Sequence, residues 1–460
     1  MLLSMLLGKR DGIFMTQHSQ ELTQGSLSRH LVRLAVPLVF GNILQEFYNT
    51  IDAFVVGRFA GQEEFAAIGV AGTVMNLFLF ALVGCCTGFS ILFAHAYGQN
   101  DLPELRRQEG SALTIGLGCT ALLMLAGLAG MRPLLALLQT PQAICGYVAQ
   151  YLRWIFLSLP AAFLYNLFAA LLRSSGDTQA ALLVLAAAVG ANLILDLVFV
   201  ALLSGGIEGA AFATALTQLF SALLCYGYLH RTHRELLLHR TDCRWELCRL
   251  RTTLKFGLVS SLHQCSLYLG KLFVQGAVNT AGTGIIAAYT AGTRIEGFAN
   301  SFGSSGSTAT SILVAQNHGA GRNDRVESAF RCSLCWLAVL GTVCGLGMFL
   351  LAPQAIALLL GSSADTAFPA AVSYLRLVSL FYTFCFTGNT FTGYYSGTGR
   401  VMLPFLGALG HISIRVILSW LLFPRLGLNA VAFATGIGWL CANAFWGIYK
   451  LRLSRRISNP

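Results

Sequence analysis

The sequence predicts an all-α integral membrane protein with twelve transmembrane helices in two six-helix lobes, related by a pseudo-two-fold axis along the membrane normal. Three observations predict it. Hydrophobic residues make up 55% of the 460 residues and charged residues only 11%, with a mean hydropathy of +0.67, whereas soluble chains carry about 25% charged residues. Apolar stretches of spanning length recur along the whole chain. The second half repeats the first at an offset near 221 residues.

The apolar stretches fall at 34–57, 67–97, 111–131, 146–171, 180–203, 210–229, 253–279, 287–317, 329–352, 372–397, 403–424 and 430–449. About 20 apolar residues span the hydrocarbon as a helix. Barrel strands would need about ten residues of strict alternation, which these stretches lack. Small residues such as Gly116 and Gly118 are expected to permit close helix packing. Pro37, a turn before Asn42, removes a backbone hydrogen bond and favours a bend in the first span. The 13 Cys lie mostly inside apolar runs and do not read as a disulfide scaffold.

Orientation follows from Lys and Arg in the loops. One side holds 22 of them and the other only Arg58, Arg132 and Arg425. Both termini, on the 22-residue side, are therefore expected in the cytoplasm of a plasma (inner) membrane protein. The net charge of +11 reads as a topology signal. Its dispersal over many loops argues against a nucleic-acid partner. Arg153 and Arg376, near span ends, are expected to snorkel to an interface. Residues 1–27 read as a mobile cytoplasmic tail and 451–460 as a second tail.

The repeat rests on ordered matches. Ile91-Leu-Phe-Ala-His-Ala-Tyr-Gly98 answers to Ile312-Leu-Val-Ala-Gln-Asn-His-Gly319, Tyr151-Leu-Arg153 to Tyr374-Leu-Arg376, and Ala211-Phe-Ala-Thr214 to Ala432-Phe-Ala-Thr435. These define lobes at 28–229 and 253–450, joined by the loop 230–252. Six spans per lobe is even, so both lobes insert the same way up, with a cavity expected between them. This is a transporter plan.

Polar residues within the spans mark the candidate site, because hydrocarbon penalises them. The first span carries Asn42, Gln45, Glu46, Asn49 and Asp52 on one helical face, and the fifth carries Asn192 and Asp196 one turn apart. The seventh carries Gln264, Tyr268, Lys271, Gln275 and Asn279 at steps of three and four; the eighth carries Glu296, Asn300, Ser304 and Thr308. The tenth carries Thr383, Thr387, Thr390 and Tyr394. Lys271 falls close to the repeat counterpart of Asp52, and Arg415 close to that of Asp196, so the first lobe holds acids where the second holds bases. Lys271 either faces the cavity or pairs with an acid on a neighbouring helix. No GxxxxGK or GxSxG occurs, and the loop histidines form no HExxH. Neither an enzyme nor a cofactor is expected.

The chain resembles the multidrug and toxic compound extrusion (MATE) transporters over residues 28–450. The residues that carry this are Ala35-Val-Pro37, Asn49-Thr-Ile-Asp52-Ala-Phe-Val-Val-Gly57, Ala66-Ala-Ile-Gly69 and Gly98. They continue with Arg173-Ser-Ser-Gly-Asp-Thr178, Asn192-Leu-Ile-Leu-Asp196 and Gly209-Ala-Ala-Phe-Ala-Thr214. The resemblance implies a monomeric antiporter that exports amphipathic, cationic organic compounds in exchange for protons or sodium ions. In the similar DinF-like branch a first-lobe ion site implies coupling roles for Asp52, Gln45, Asn192, Asp196, Thr214 and Tyr151, with transient sodium at Asp52 and Asp196. Asn42, Glu46, Asn49, Gln264, Tyr268, Lys271, Gln275, Glu296, Asn300, Thr387 and Arg415 are expected to line the substrate cavity. The chain departs from the branch with a second-lobe ion site, whose acids lie on helices seven and ten: helix seven here offers Gln264 and Lys271, and helix ten has no acid. Alternative readings are a lipid-linked oligosaccharide flippase, kept open by Lys271 and Arg415, an exporter of a physiological metabolite, and an integral membrane enzyme.

Overall fold

A computed structural model describes residues 21–137, 139–239, 242, 246–361 and 367–458; the side chains at 21, 49–53, 137 and 454–458 fall outside the description. Among the described residues all regular structure is helical. The helices are α1 (Leu27–Phe59), α2 (Gln62–Gly98), α3 (Leu102–Ala129), a short α4 (Met131–Leu137), α5 (Gln142–Ser175) and α6 (Thr178–Asp196). After a π-helical turn (Leu197–Leu202) come α7 (Gly206–Thr232), α8 (Leu247–Asn279), α9 (Thr283–Gly319) and α10 (Asn323–Leu360). The last four are α11 (Ala367–Ser379), α12 (Tyr382–Gly397), α13 (Met402–Leu426) and α14 (Asn429–Ser458).

Among the described residues, nine helices are long and apolar enough to cross a membrane, and α11 with α12 forms a tenth span bent by 50°. The two others, α8 and α9, are 33 and 37 residues long, about 50 and 55 Å at 1.5 Å per residue, against about 30 Å of hydrocarbon. They miss on composition alone: α8 carries the stripe from Gln264 to Asn279, and α9 is rich in Gly, Ser and Thr. The protein is thus a twelve-span, all-helical membrane protein. Pro37 lies within an uninterrupted α1.

Punctuation between helices is local. Asp101 caps α3 by accepting from the Glu104 amide at 2.9 Å. Gly176, at φ +96°, ends α5, and Asp177 then caps α6 through the Ala180 amide at 3.0 Å. The Glu64 carboxylate accepts from the Ile207 amide at the start of α7.

The chain divides into two compact units: Val36–Ser261 together with the chain up to Gly25, and Leu262–Pro460 together with Ser26–Ala35. Trp336 donates to the Ser28 hydroxyl at 2.6 Å, which ties the start of α1 to the second unit. In the first unit, Phe89, Phe93, Phe156, Phe163 and Tyr151 are fully enclosed between α2 and α5. In the second, Tyr374, Tyr382, Phe386 and Val274 form the corresponding core. Glycine permits the closest approaches. A Cβ on Gly84 would lie 2.7 Å from the Ser260 carbonyl oxygen on α8, and one on Gly393 would lie 2.5 Å from that of Ser307 on α9. A Cβ on Gly116 would strike the Phe163 ring, whereas Gly118 faces open space and serves no packing role.

Two expected tails are shorter than the sequence suggests. Leu22 is buried and would lie 3.4 Å from a Cβ on Gly176, so the chain at Leu22 is seated on the first unit. At the other end α14 runs to Ser458, because no Gly or Pro stops it before then.

Candidate functional site

Of the expected coupling residues, Gln45 and position 52 lie on α1, Tyr151 on α5, Asn192 and Asp196 on α6, and Thr214 on α7. Asn192 and Asp196 lie one turn apart at the end of α6 and are 1% and 0% exposed. Asp196 is the last α-helical residue before the π-helical turn. Such a turn breaks the i→i+4 register and is frequent at functional positions. Asn192 Nδ2 is buried and has no hydrogen-bond partner among the described residues. Thr214, on α7, is buried and accepts from the Tyr48 hydroxyl of α1 at 3.4 Å. Further along α1, Val55 and Val56 pack with Val200 of the π turn, Ala210 of α7 and Leu193 of α6. Position 52 therefore lies on a stretch of α1 held against these elements on either side, and its spacing from Tyr48 and Val56 puts all three on one face. The side chains of Asp52 and Asn49 lie outside the described residues.

The remaining first-lobe residues divide. Asn42 and Gln45 are exposed and Glu46 is half-buried. Tyr151 is 1% exposed, and its hydroxyl lies 3.7 Å from the Met75 sulfur.

The second lobe builds a different centre around Glu296. Its carboxylate, 6% exposed, accepts from the Tyr374 hydroxyl, and its backbone carbonyl accepts from the Tyr382 hydroxyl at 3.3 Å. Tyr374 packs edge-on to Tyr289 at 5.7 Å, and the Arg415 Nη2 lies 3.5 Å from the Tyr289 hydroxyl. Lys271 is exposed, while Gln264, Tyr268, Gln275, Asn300 and Thr387 are half-buried. Gln275 donates to Asn279 at 2.8 Å, and Thr387 donates to Asn443 at 3.1 Å.

The repeat explains this contrast. Tyr151 and Tyr374 are counterparts, and so are Met75 and Glu296, which stand 221 apart. The same buried tyrosine meets a thioether in one lobe and a carboxylate in the other. Sequence reasoning named Glu296 and Tyr151 but missed Tyr374, Tyr289 and Tyr382. The counterpart rule would have found Tyr374.

A second cluster lies outside the spans. His233, just past α7, has Nε2 3.4 Å from an Asp177 carboxylate oxygen and Nδ1 3.5 Å from a Glu235 oxygen. Tyr228 donates to Asp177 at 3.1 Å. Burial alone would lower the His233 pKa, but the two carboxylates outweigh it and raise it to about 9. Asp177 is held below its ordinary value: burial opposes this, and the His233, Ala180 and Tyr228 hydrogen bonds prevail. The loop after it is fastened too, with Leu236 and Leu237 buried and Arg106 paired with Asp242.

The MatE family model matches the chain twice, over residues 37–198 and 260–421. The chain belongs to the MatE family. The two matches stand 223 residues apart, so the family model itself marks the duplication. Among curated proteins, the chain is 25% identical to the probable multidrug resistance protein YoeA of Bacillus subtilis, with 84% of each chain covered. It is 24% identical to YpnP of the same organism, with 93% of this chain and 96% of that one covered. It is also 24% identical to an FAD transporter of Shewanella oneidensis, over 70% and 72%. A solved MOP superfamily transporter from Pyrococcus furiosus superposes with a TM-score of 0.87 at 22% identity, over 95% of this chain and 98% of that one. An outward-facing MATE family transporter superposes at 0.88 and 23% over the same shares. MatE membership makes the chain a multidrug-efflux-type membrane transporter.

Proposed function

We propose that the protein is a secondary antiporter that exports amphipathic, cationic organic compounds in exchange for protons or sodium ions. Its coupling site draws on Asp52, Asn192, Asp196, Thr214, Gln45 and Tyr151. The observation that carries this reading is the burial of Asn192 and Asp196 at the π-helical end of α6, whose Leu193 packs with Val55 and Val56 of the α1 stretch that bears Asp52, while Tyr48 of the same helix donates to Thr214. The 22-to-3 cation bias supports an inner-membrane orientation with both termini cytoplasmic.

Two carboxylates in one dehydrated site repel each other and lose hydration when both are ionised. One proton, or one sodium ion held also by amide and hydroxyl oxygens, removes that penalty. Uptake on the outer side favours the arrangement with low affinity for the organic substrate. Release on the inner side restores high affinity. Linkage is reciprocal, so substrate binding must weaken ion binding by the same factor.

Transport of a fluorescent organic cation into inverted vesicles tests this, with pH and sodium gradients imposed separately. Asp52→Asn and Asp196→Asn are each expected to abolish gradient-driven uptake while leaving protein that elutes as one folded species. Full gradient-driven uptake by both variants would refute the assignment.

A further inference from the structure

Pro353 opens a gap in the hydrogen bonding of α10. It has no N–H, so the Phe349 carbonyl one turn earlier lacks its helical partner. Arg376 of α11 takes that place. Its Nε donates to the Phe349 carbonyl at 3.4 Å, and its Cζ stands 5.5 Å from the centroid of the Phe349 ring. One nitrogen of the guanidinium is thereby used. The two terminal nitrogens have no partner among the described residues, and the side chain is exposed.

The same guanidinium lines a groove of about 660 Å³ between α10, α11 and the start of α14. Sites for small molecules typically measure about 300–1,000 Å³. The walls are mostly apolar, from Pro353, Phe368, Val372, Leu377 and Leu380. They are also open: Phe349, Leu380 and Phe433 are 36%, 61% and 38% exposed. Ser373, on the Arg376 face of α11, donates to Asn429 Oδ1 at 3.1 Å, which leaves Asn429 Nδ2 as a second donor in the groove. Among the described residues no acid lines it. Helix packing accounts for Nε and the ring beneath it, but not for two open cationic N–H groups above an uncovered apolar wall.

Depth identifies what meets them. The apolar stretches end at 352 and begin at 372 and 430, so Phe349, Arg376 and Phe433 each lie about one turn inside the same boundary of the hydrocarbon. A guanidinium is costly deeper in, and at this level it reaches the headgroups. Leu380 carries the apolar wall one turn further into the membrane, about 6 Å. A phosphate above and an acyl chain below match that order of charge and apolar surface. A headgroup with no cation of its own leaves the phosphate free for the guanidinium.

We propose that this groove binds one anionic phospholipid. Its phosphate meets the terminal nitrogens of Arg376 and the Asn429 amide, and one acyl chain lies along Val372, Leu377 and Leu380. The proposal is independent of the coupling site and of what is transported.

Photolabelling of the full chain in phosphatidylcholine nanodiscs tests it. Trace phosphatidylglycerol or phosphatidylcholine, each with the same diazirine-bearing acyl chain, is activated and the labelled peptides are mapped by mass spectrometry. Labelling of the groove peptides is divided by that of α13, whose Ile417 and Leu421 are exposed. In wild type this quotient is expected to be about fivefold higher for phosphatidylglycerol than for phosphatidylcholine. Arg376→Gln, which keeps a donor for the Phe349 carbonyl, is expected to bring the two lipids to about the same quotient, and Arg376→Lys to retain part of the difference. Equal quotients for the two lipids in wild type would overturn the proposal, and so would an unchanged difference in Arg376→Gln. A groove covered by a second copy of the chain would show no enrichment of either lipid, which also overturns it. The wild-type comparison needs no variant, so it decides the matter even if Arg376→Gln does not fold.

Discussion

Raising the pH through about 9 is expected to release the segment after α7 from Asp177. His233 holds that segment by facing Asp177 and Glu235, and its pKa stands at about 9 against 6.5 for a free imidazole. A group raised in the folded state stabilises fully below its unfolded value and loses that contribution as pH rises through its folded value. The gap is worth about 3 kcal/mol, of which about 2.5 remains at pH 7. With 16% of the His233 side chain exposed, solvent screening is modest. The acid limit has the opposite sign. Asp177 is held below its ordinary value, so its contribution is present at neutral pH and fades as pH falls below about 4. The clasp is therefore closed from about pH 4 to about pH 9. Trypsin reads it, because Arg231 and Arg234 flank His233 and are exposed. Cleavage there, normalised to a free peptide substrate, is expected to accelerate by tens of fold between pH 7 and pH 10. His233→Gln is expected to show the fast rate already at pH 7. A normalised rate that is flat over that range, and unchanged by His233→Gln, would refute the clasp.

Gly88→Ala should destabilise the first unit by about 1–3 kcal/mol, since its Cβ would strike the Phe256 backbone carbonyl of α8, which cannot rotate away. A lower melting temperature in detergent checks this against Gly118→Ala, which faces open space and should cost nothing. Arg234→Cys, in a background without other reactive thiols, should react with an impermeant maleimide only after cells are opened; labelling of intact cells would invert the orientation.

How much of this was legible in the sequence depends on the range of the interaction. Twelve spans were readable because burial in lipid acts on every residue of a helix, so even α8 and α9, with their polar stripes, keep long apolar faces. The break between Ser379 and Tyr382 was not, because no Pro or Gly marks it. There the Phe381 ring lies against Gly436 of α14, a contact set by the tertiary fold. The π-helical turn after Asp196 was also invisible, since Leu197-Val-Phe-Val-Ala-Leu202 reads as ordinary apolar helix. Stripe spacing located Asn192, Asp196 and Glu296. It did not distinguish exposed Gln45 from buried Tyr151, because spacing fixes a face and not what covers it. The Asp177–His233–Glu235 cluster was missed because its members are neighbours only once α6 and α7 have folded back on each other.

On the antiport reading, the duplicated lobes have diverged in their suitability for the ion. A cation needs oxygen donors, and the first lobe offers carboxylate, amide and carboxylate at 52, 192 and 196. Near the corresponding stretches the second lobe carries Lys271 and Arg415, whose positive charges repel a sodium ion. The one carboxylate buried there among the described residues, Glu296, stands at the counterpart of Met75 and not of Asp52, and it is held by a tyrosine that both lobes share. On the antiport reading, the gradient is then sensed in one lobe only. Neutralising Glu296 should change stability through its tyrosine bonds, whereas neutralising Asp196 should change coupling. The two readouts separate the roles of acids that composition alone would have grouped together.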